Sequence, residues 1–168
     1  MRFAIIAGLA LILSGCGVEG GLPLRTTIKA EFDPYEMEFA TKPGTGKIVG
    51  QAFIRRSDGG VDSASLKRVL LIPKSRYTDE IVGQYAGNYN KSIEVSNFDQ
   101  RLGSFVRFLV ADAGGAFMFL NIPPGQYYLI TGVDQRVSAL IAGYNTVPKS
   151  LLAQVTVKDR GTVTAIFN

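Results

Sequence analysis

The chain has 168 residues, 46% of them apolar, with a single cysteine and no histidine. The missing histidine removes the commonest general base and metal ligand, and one cysteine excludes an intrachain disulfide and a CxxC redox motif. The net charge is +4, yet the longest basic runs are pairs such as Arg55-Arg56. A basic footprint for nucleic acid is therefore absent from the sequence, and no nucleic-acid partner is expected.

The N-terminus is typical of an export signal. Arg2 precedes an unbroken apolar run at 3–13, which as a helix would span about 16 Å, half of a bilayer core. That is too short for a transmembrane helix and suits a signal peptide. Leu13-Ser14-Gly15-Cys16 resembles the lipobox of bacterial lipoproteins. The resemblance implies cleavage after residue 15 and a diacylglyceryl group on the Cys16 thiol, with an N-acyl group on its amino nitrogen.

Cys16 is therefore the expected lipidation site and membrane anchor, and apart from its acyl groups no cofactor or metal is expected. Several acyl chains on one residue hold a protein at a bilayer stably. Loss of Arg2 lowers the net charge to +3. The residue after the cysteine is Gly17, where an Asp would imply retention in the inner membrane. We expect a lipid-anchored protein of the bacterial envelope, in the outer membrane, at its periplasmic face or the cell surface.

The mature chain divides into a tether and a folded domain. Glycines are frequent at 17–23, and Lys42-Pro43-Gly44-Thr45-Gly46 is a turn sequence. We therefore predict a signal peptide at 1–15, a lipidated N-terminus and tether at 16–45, and one domain at 46–168.

The domain is predicted to be built from β-strands. Segments of alternating or continuous apolar residues are separated by Gly, Pro and Asp turns, a pattern typical of antiparallel sheets with one buried face. About seven strands are expected, an all-β antiparallel sandwich. In one of them, at 104–111, Val106, Phe108 and Val110 share a face opposite Arg107. The seven segments are 47–55, 68–72, 104–111, 116–120, 127–133, 154–158 and 162–167.

An inserted loop or short helix is expected around 77–101. Thr78 is a candidate N-cap, whereas Gly83 and Gly87 weaken the helix. Three tyrosines lie in this insertion, and exposed tyrosines often recognise proteins or sugars. They are candidate partner-binding residues, and the alternative is an aromatic flap packed over the sandwich. These residues are Tyr77, Tyr85 and Tyr89.

Three pieces of sequence together resemble the carboxypeptidase-regulatory-like domain, a transthyretin-like (prealbumin-like) β-sandwich. They are 46–53, 69–73 with Tyr77, and 112–129, the last containing the run Asp112-Ala113-Gly114-Gly115-Ala116-Phe117-Met118-Phe119 and a Pro-Pro-Gly-Gln-Tyr turn. In the last piece we expect a tight hairpin with a positive-φ glycine. Phe117 and Phe119 should then be buried and Met118 should point away. The resemblance is specific for fold and says little about function.

The sequence therefore favours a non-catalytic binding or assembly module that presents the sandwich to an envelope protein partner. The alternative is a carbohydrate-acting enzyme or sugar-binding module that uses acidic and tyrosine residues, since paired carboxylates can hydrolyse glycosides. The candidate carboxylates are Asp33, Glu36, Glu38, Asp79 and Glu80.

Overall fold

The computed structural model describes residues 24–86, 93–138 and 144–167. Strands predominate in this part of the chain, which also contains one α-helix and two short 3₁₀ helices. In chain order the elements are β1 (Leu24–Thr26), a 3₁₀ helix (Pro34–Thr41), β2 (Gly46–Gln51), β3 (Phe53–Arg55), β4 (Val61–Ser63), β5 (Arg68–Pro73), α1 (Arg76–Ala86), β6 (Ile93–Val95), a 3₁₀ helix (Gln100–Ser104), β7 (Arg107–Val110), β8 (Ala116–Ile122), β9 (Gly125–Ser138), β10 (Tyr144–Val157) and β11 (Thr162–Ala165).

Seven of these strands form the two sheets of a β-sandwich. The strand order is β10-β9-β5-β7 in the four-stranded sheet and β11-β2-β8 in the three-stranded sheet. Side chains from both sheets fill a shared core, among them Ile48 and Phe119 from one sheet and Leu71 and Leu129 from the other. The predicted all-β sandwich is confirmed, and the insertion contains a helix rather than only a loop.

Strand direction differs from the prediction in two places. β11 runs parallel to β2, with Val163 opposite Ile48, and the short pair β1 and β6 is also parallel. The other pairings are antiparallel. After β10 the chain crosses from one sheet to the other and reaches the free edge of β2 in the same direction as that strand. Alternation reveals which face of a strand is buried but not its direction, because both pairings share the period of two.

The predicted tight turn at Asp112 is present, but it does not close a hairpin, because β7 pairs with β5 and β8 pairs with β2 in the other sheet. Turn chemistry predicts the reversal of the chain but not the strands with which its two arms pair. Gly115 has φ +81°, and the Asp112 carboxylate accepts hydrogen bonds from the backbone N–H groups of Gly114 and Ala116, each at 2.8 Å. Phe117 and Phe119 are buried, and Met118 is 49% exposed. The expected register of this strand is therefore confirmed.

The face of β7 that enters the core is not the one with more apolar residues. Leu109 lies opposite Val69 and packs against the shared core. Phe108 and Val110 lie on the other face, each 59% exposed. The expectation of one buried face would have placed these two side chains inside. The register with β5 decides the inward face, because it places Leu109 beside the buried Val69 and Phe108 beside Leu70. Since β5 is apolar on both faces, its sequence does not predict that register.

The tether predicted at 16–45 is shorter than expected, because residues from 24 onward pack on the domain. Ile28 and Met37 are buried in a second apolar cluster with Ile81 and Leu102. Backbone groups are held as well, since the Glu80 carboxylate accepts hydrogen bonds from the N–H groups of both Lys29 and Ala30. Residues 28–32 alternate apolar and charged side chains, and the segment 26–32 is compatible with a first strand or with a continuation of the linker. This alternation does not show which part of the chain covers the apolar side chains.

Helix α1 begins with a reciprocal cap. The Ser75 hydroxyl accepts a hydrogen bond from the Thr78 N–H at 3.2 Å, and the Thr78 hydroxyl accepts one from the Ser75 N–H at 2.8 Å. This arrangement satisfies two N–H groups that a helix start leaves free. The N-cap is thus Ser75, and Thr78, the predicted cap, occupies the third helical position. Gly83 is tolerated because it is exposed and its helical turn is held by neighbours.

Among the residues that the structure describes, no helix is long and apolar enough to cross a bilayer.

Candidate functional site

A row of apolar side chains runs across the outer face of the four-stranded sheet. Phe108 of β7 lies beside Leu70 of β5, Leu70 lies beside Ile130 of β9, and Ile130 lies beside Leu152 of β10. Three strand spacings separate the first and last of these residues, roughly 14 Å. The row faces away from the shared core, so it forms the floor of a surface feature.

Two segments rise beside this row and turn it into a groove. Helix α1 contributes Ile81 and Tyr85, and the segment after β6 contributes Phe98, Leu102 and Val106. The groove has a volume of about 440 Å³, and we call it the outer groove. It exists because one helix, about 10 Å wide, cannot cover a sheet of four strands.

Aromatic side chains of the outer groove remain in contact with solvent. Phe108 is 59% exposed, Phe98 46% and Tyr85 38%. Among the lining side chains that the structure describes, the hydroxyls of Tyr85 and Ser150 are the polar groups. A contiguous exposed apolar surface of this kind marks an interaction site more often than chance exposure does.

The groove opens towards Gly132 and Ser150, which are register partners on β9 and β10. Ser150 lines the groove. A Cβ atom at Gly132 would meet only the Lys149 carbonyl oxygen, at 3.9 Å. The absence of a side chain at this position therefore keeps the groove open, and a larger residue would fill it without a clash.

Arg68 lies at the rim of the outer groove. Its guanidinium carbon is 4.6 Å from the centroid of the Phe108 ring, an interaction of the cation–π type. Within the described residues, no carboxylate forms an ion pair with this guanidinium. Arg68 therefore presents positive charge and unused N–H donors beside an apolar floor.

A partly buried polar network fixes helix α1 against the sheet. The Lys74 ammonium donates to Asp79 at 2.6 Å and to the Tyr128 hydroxyl at 2.7 Å, and that hydroxyl donates to the same Asp79 oxygen at 2.7 Å. Burial raises the pKa of Tyr128, and the hydrogen bonds with Asp79 and Tyr128 raise the pKa of Lys74. Both groups thus stay protonated at neutral pH, and the wall of the groove is held in place.

The tyrosines of the insertion have different environments. Tyr77 is 2% exposed, its ring packs edge-on against Phe32 at 5.4 Å, and its hydroxyl accepts a hydrogen bond from the Asp99 N–H at 2.7 Å. It therefore supports the second apolar cluster and is not available to a partner, in contrast to the prediction. Tyr85 lines the outer groove and is 38% exposed. Cys16 and Tyr89 lie outside the described residues.

The carboxylates considered as catalytic pairs each have their own local partners. The N–H of Arg76 bonds to Glu36 and the N–H groups of Lys29 and Ala30 bond to Glu80, and these bonds lower the pKa of both carboxyls. A general acid needs the opposite shift. The contacts are Asp33 with the Tyr35 N–H, Glu36 with Arg76, Glu38 with Lys42, Asp79 with Lys74, and Glu80 with the N–H groups of residues 29 and 30.

A second, shallow pocket of about 400 Å³ lies between the N-terminal segment and the insertion, and its lining is polar. Arg101 stacks over the Phe32 ring at 4.8 Å and is held by Asp99. The Asn97 side chain accepts a hydrogen bond from the Ile28 N–H and donates one to the Ile28 carbonyl. Most polar groups of this pocket therefore already serve the fold.

Most residues of the outer groove are not predicted by the sequence to lie in a binding site. One signal was present, because β5 reads Arg-Val-Leu-Leu-Ile-Pro and a continuous apolar run indicates a strand covered on both faces. That run predicts a layer outside the sheet, which α1 supplies in part. The placement of Leu70 beside Phe108 and Ile130 depends on pairings between strands that are distant in the chain. It cannot be predicted from the sequence of any one of these strands.

No family model matches the chain, and no curated protein matches it. Among solved structures, the fold is similar to the crystal structure of a "putative carbohydrate binding protein" from Pseudomonas aeruginosa, with a TM-score of 0.66 and 21% sequence identity. The similarity covers 81% of this chain and 97% of that one. At this identity the comparison shows the fold, an all-β sandwich.

Proposed function

We propose that this protein is a non-catalytic binding module of the bacterial envelope, and that its ligand enters the outer groove. The observation that carries the proposal is the apolar row of the exposed Phe108 and the partly buried Leu70 and Ile130, beneath Tyr85 and Phe98. Pockets of roughly 300–1,000 Å³ with an apolar lining are the usual sites for small ligands, and a volume of about 440 Å³ lies in that range.

The chemistry of the lining favours an apolar ligand. A sugar would bring hydroxyl groups that must exchange their hydrogen bonds with water for bonds with protein, and each unmatched group is costly. The groove offers the hydroxyls of Ser150 and Tyr85 for that purpose. An alkyl chain, or an apolar segment of the envelope protein expected as partner, buries the floor without that cost.

The anchoring proposed from the sequence fits this role. The lipobox ending at Cys16 supports lipidation, outer-membrane attachment and export, and the tight turn at Asp112 supports the resemblance to the carboxypeptidase-regulatory-like domain. Seven residues lie between Cys16 and Leu24, the first residue of β1, so the chain takes eight Cα–Cα steps from one to the other. Such a tether reaches at most about 29 Å, so the anchor keeps the domain beside the bilayer.

Carbohydrate binding is the second candidate, favoured by the description of the Pseudomonas aeruginosa protein and by the polar pocket at Phe32 and Arg101. Sugars stack on exposed aromatic faces and take hydrogen bonds from charged side chains. The engagement of Asn97 and Asp99 within the fold leaves fewer groups for a sugar there. The outer groove is therefore the better supported site.

A neutral photoreactive probe tests the proposed site. The full-length protein in its membrane or in detergent is irradiated with a diazirine-bearing dodecanol, and the labelled peptides are mapped by mass spectrometry. We expect label on the groove segments of wild-type protein. Gly132→Leu should remove this label, because the added side chain fills the open end of the groove.

Gly83→Leu is the matched control. It adds the same side chain at a helical glycine whose Cβ position meets no atom within 4 Å and which does not line the groove. Labelling should persist in this variant. Equal labelling of both variants, or label confined to residues outside the groove, would exclude the outer groove as the site.

A further inference from the structure

We propose that the outer groove binds the alkyl chain of a single-chain anionic amphiphile, a fatty acid derived from the envelope lipids, with its carboxylate at Arg68. This inference depends on the proposed function, because it names the ligand class of the same groove. It rests on the apolar floor, on the unpaired cation at the rim and on the position of the anchor.

The floor suits an alkyl chain. It is one row of side chains, Phe108, Leu70 and Ile130, that extends roughly 10 Å across three strands. An alkyl chain needs no hydrogen-bond partner along its length, whereas an extended peptide brings an N–H and a carbonyl with each residue. Gly132 leaves room at the open side, where a chain lies over backbone rather than against a side chain.

The Arg68 guanidinium supplies a positive charge at the rim. Arg68 lies two residues before Leu70 on β5, so both side chains are on the same face of the sheet. Its guanidinium is held over the Phe108 ring, at the end of the apolar row. A guanidinium binds a carboxylate through paired N–H donors, and stacking on Phe108 positions those donors above the groove.

Arg68 differs from three arginines whose charge is matched by carboxylates, and it differs from Arg55, which also stacks on a ring, in lying beside the outer groove. Arg56 and Arg136 both pair with the buried Asp62, and Arg101 pairs with Asp99. Arg68 has no such partner within the described residues, although it stands beside an exposed apolar surface. An anionic headgroup would complete this site, while an alcohol or a sugar would leave the charge unmatched.

The proposed membrane anchor would place the groove close to a source of fatty acids. Lipidation at Cys16 would hold the groove within a short tether of the bilayer, where fatty acids are released from lipids. The ligand would then move between membrane and groove without crossing the whole aqueous compartment.

Two probes that differ only in the headgroup test the inference on the full-length protein. Diazirine-bearing dodecanoic acid and the matching dodecanol are titrated separately, and labelling of the groove peptides is followed. We expect the acid to reach half-maximal labelling at about fivefold lower concentration than the alcohol, the advantage of one exposed ion pair. Arg68→Gln should abolish that advantage and leave alcohol labelling unchanged.

Arg55→Gln is the matched control, because Arg55 also stacks on a ring, that of Phe53 at 5.4 Å, outside the groove. It should preserve the preference for the acid. Equal labelling by acid and alcohol in the wild-type protein would overturn the anionic ligand while leaving the groove as a binding site. No labelling by either probe, with cross-links from a photoreactive residue at position 150 to an envelope protein, would also overturn it and would assign the groove to a protein segment.

Discussion

Tyr128 of β9 and Asp79 of α1 are joined by a hydrogen bond of 2.7 Å from the tyrosine hydroxyl to the carboxylate. Tyr128 is 7% exposed, and the bond connects the outer face of the sheet to the helix that forms one wall of the groove. Lys74 contacts both groups and completes the network. The groove therefore has a wall held by specific polar contacts as well as by apolar packing.

Removal of the Tyr128 hydroxyl tests this connection. Tyr128→Phe should lower the free energy of unfolding by about 1–2 kcal/mol, because a hydrogen bond to a charged group is lost. Amide hydrogen exchange in α1 should become faster than in the core strands. Tyr85→Phe, the same change in a groove residue that the network does not include, should leave unfolding and exchange almost unchanged. Identical behaviour of the two variants would contradict the role of the network.

Tyr127 predicts a loss of stability at alkaline pH. Its buried hydroxyl donates to the Pro123 carbonyl at 2.9 Å, and burial raises its pKa to about 12, against about 10 in an unfolded chain. Since the folded state holds this proton more tightly, the contribution is complete below about pH 10 and is lost as the pH rises from about 10 to 12. Thermal unfolding across that range should show a flatter decline for Tyr127→Phe. Tyr35→Phe, at an 81% exposed position, should keep the wild-type slope.

The register of β8 gives a prediction about packing. Phe117→Ala should destabilise the fold by about 3–5 kcal/mol, because a buried aromatic side chain leaves a cavity. The ring also contacts Gly50, where a Cβ atom would lie 2.5 Å from it. Met118→Ala, on the exposed face of the same strand, should change stability by less than about 0.5 kcal/mol. A smaller effect at 117 than at 118, measured by chemical denaturation, would mean that the strand is out of register.

Lipidation at Cys16 is tested by metabolic labelling with a fatty acid and by membrane fractionation. Cys16→Ser should abolish acyl labelling, because serine lacks the thiol that receives the diacylglyceryl group. Without processing, the anchored mature form should disappear from the outer-membrane fraction. The lipobox accepts alanine as well as serine at position 14. The Ser14→Ala protein should therefore still carry the acyl label. A Cys16→Ser protein that is still cleaved and retained in the outer membrane would refute the anchor.

Local pattern was enough to predict several features of the fold. The turn at Asp112 and the buried pair Phe117 and Phe119 follow from turn chemistry and alternation. Tyr77 was a different case. A helix places residues four apart on one face, so Tyr77 lies beside the buried Ile81. Tyr77, which the sequence suggests as an exposed binding residue, is therefore part of the second apolar cluster.

The groove itself depends on distant pairings. Leu70, Phe108 and Ile130 come from three segments, and only the strand order β9-β5-β7 brings them into one row. Whether Phe108 or Leu109 turns inward is decided by the register with β5, which the alternation of β7 alone does not specify. The sequence therefore indicated an additional layer on β5 but could not locate the uncovered part of the sheet.

Isoleucine methyl NMR on the full-length protein tests the central claim, that the outer groove is the ligand site, most directly. On titration with dodecanoic acid, the methyl signals of Ile72, Ile81 and Ile130 should shift together, because these residues line the groove. The signals of Ile48 and Ile122, buried elsewhere in the sandwich core, should stay in place. Shifts at Ile28, beside the polar pocket, with no change at the three groove residues would contradict the account.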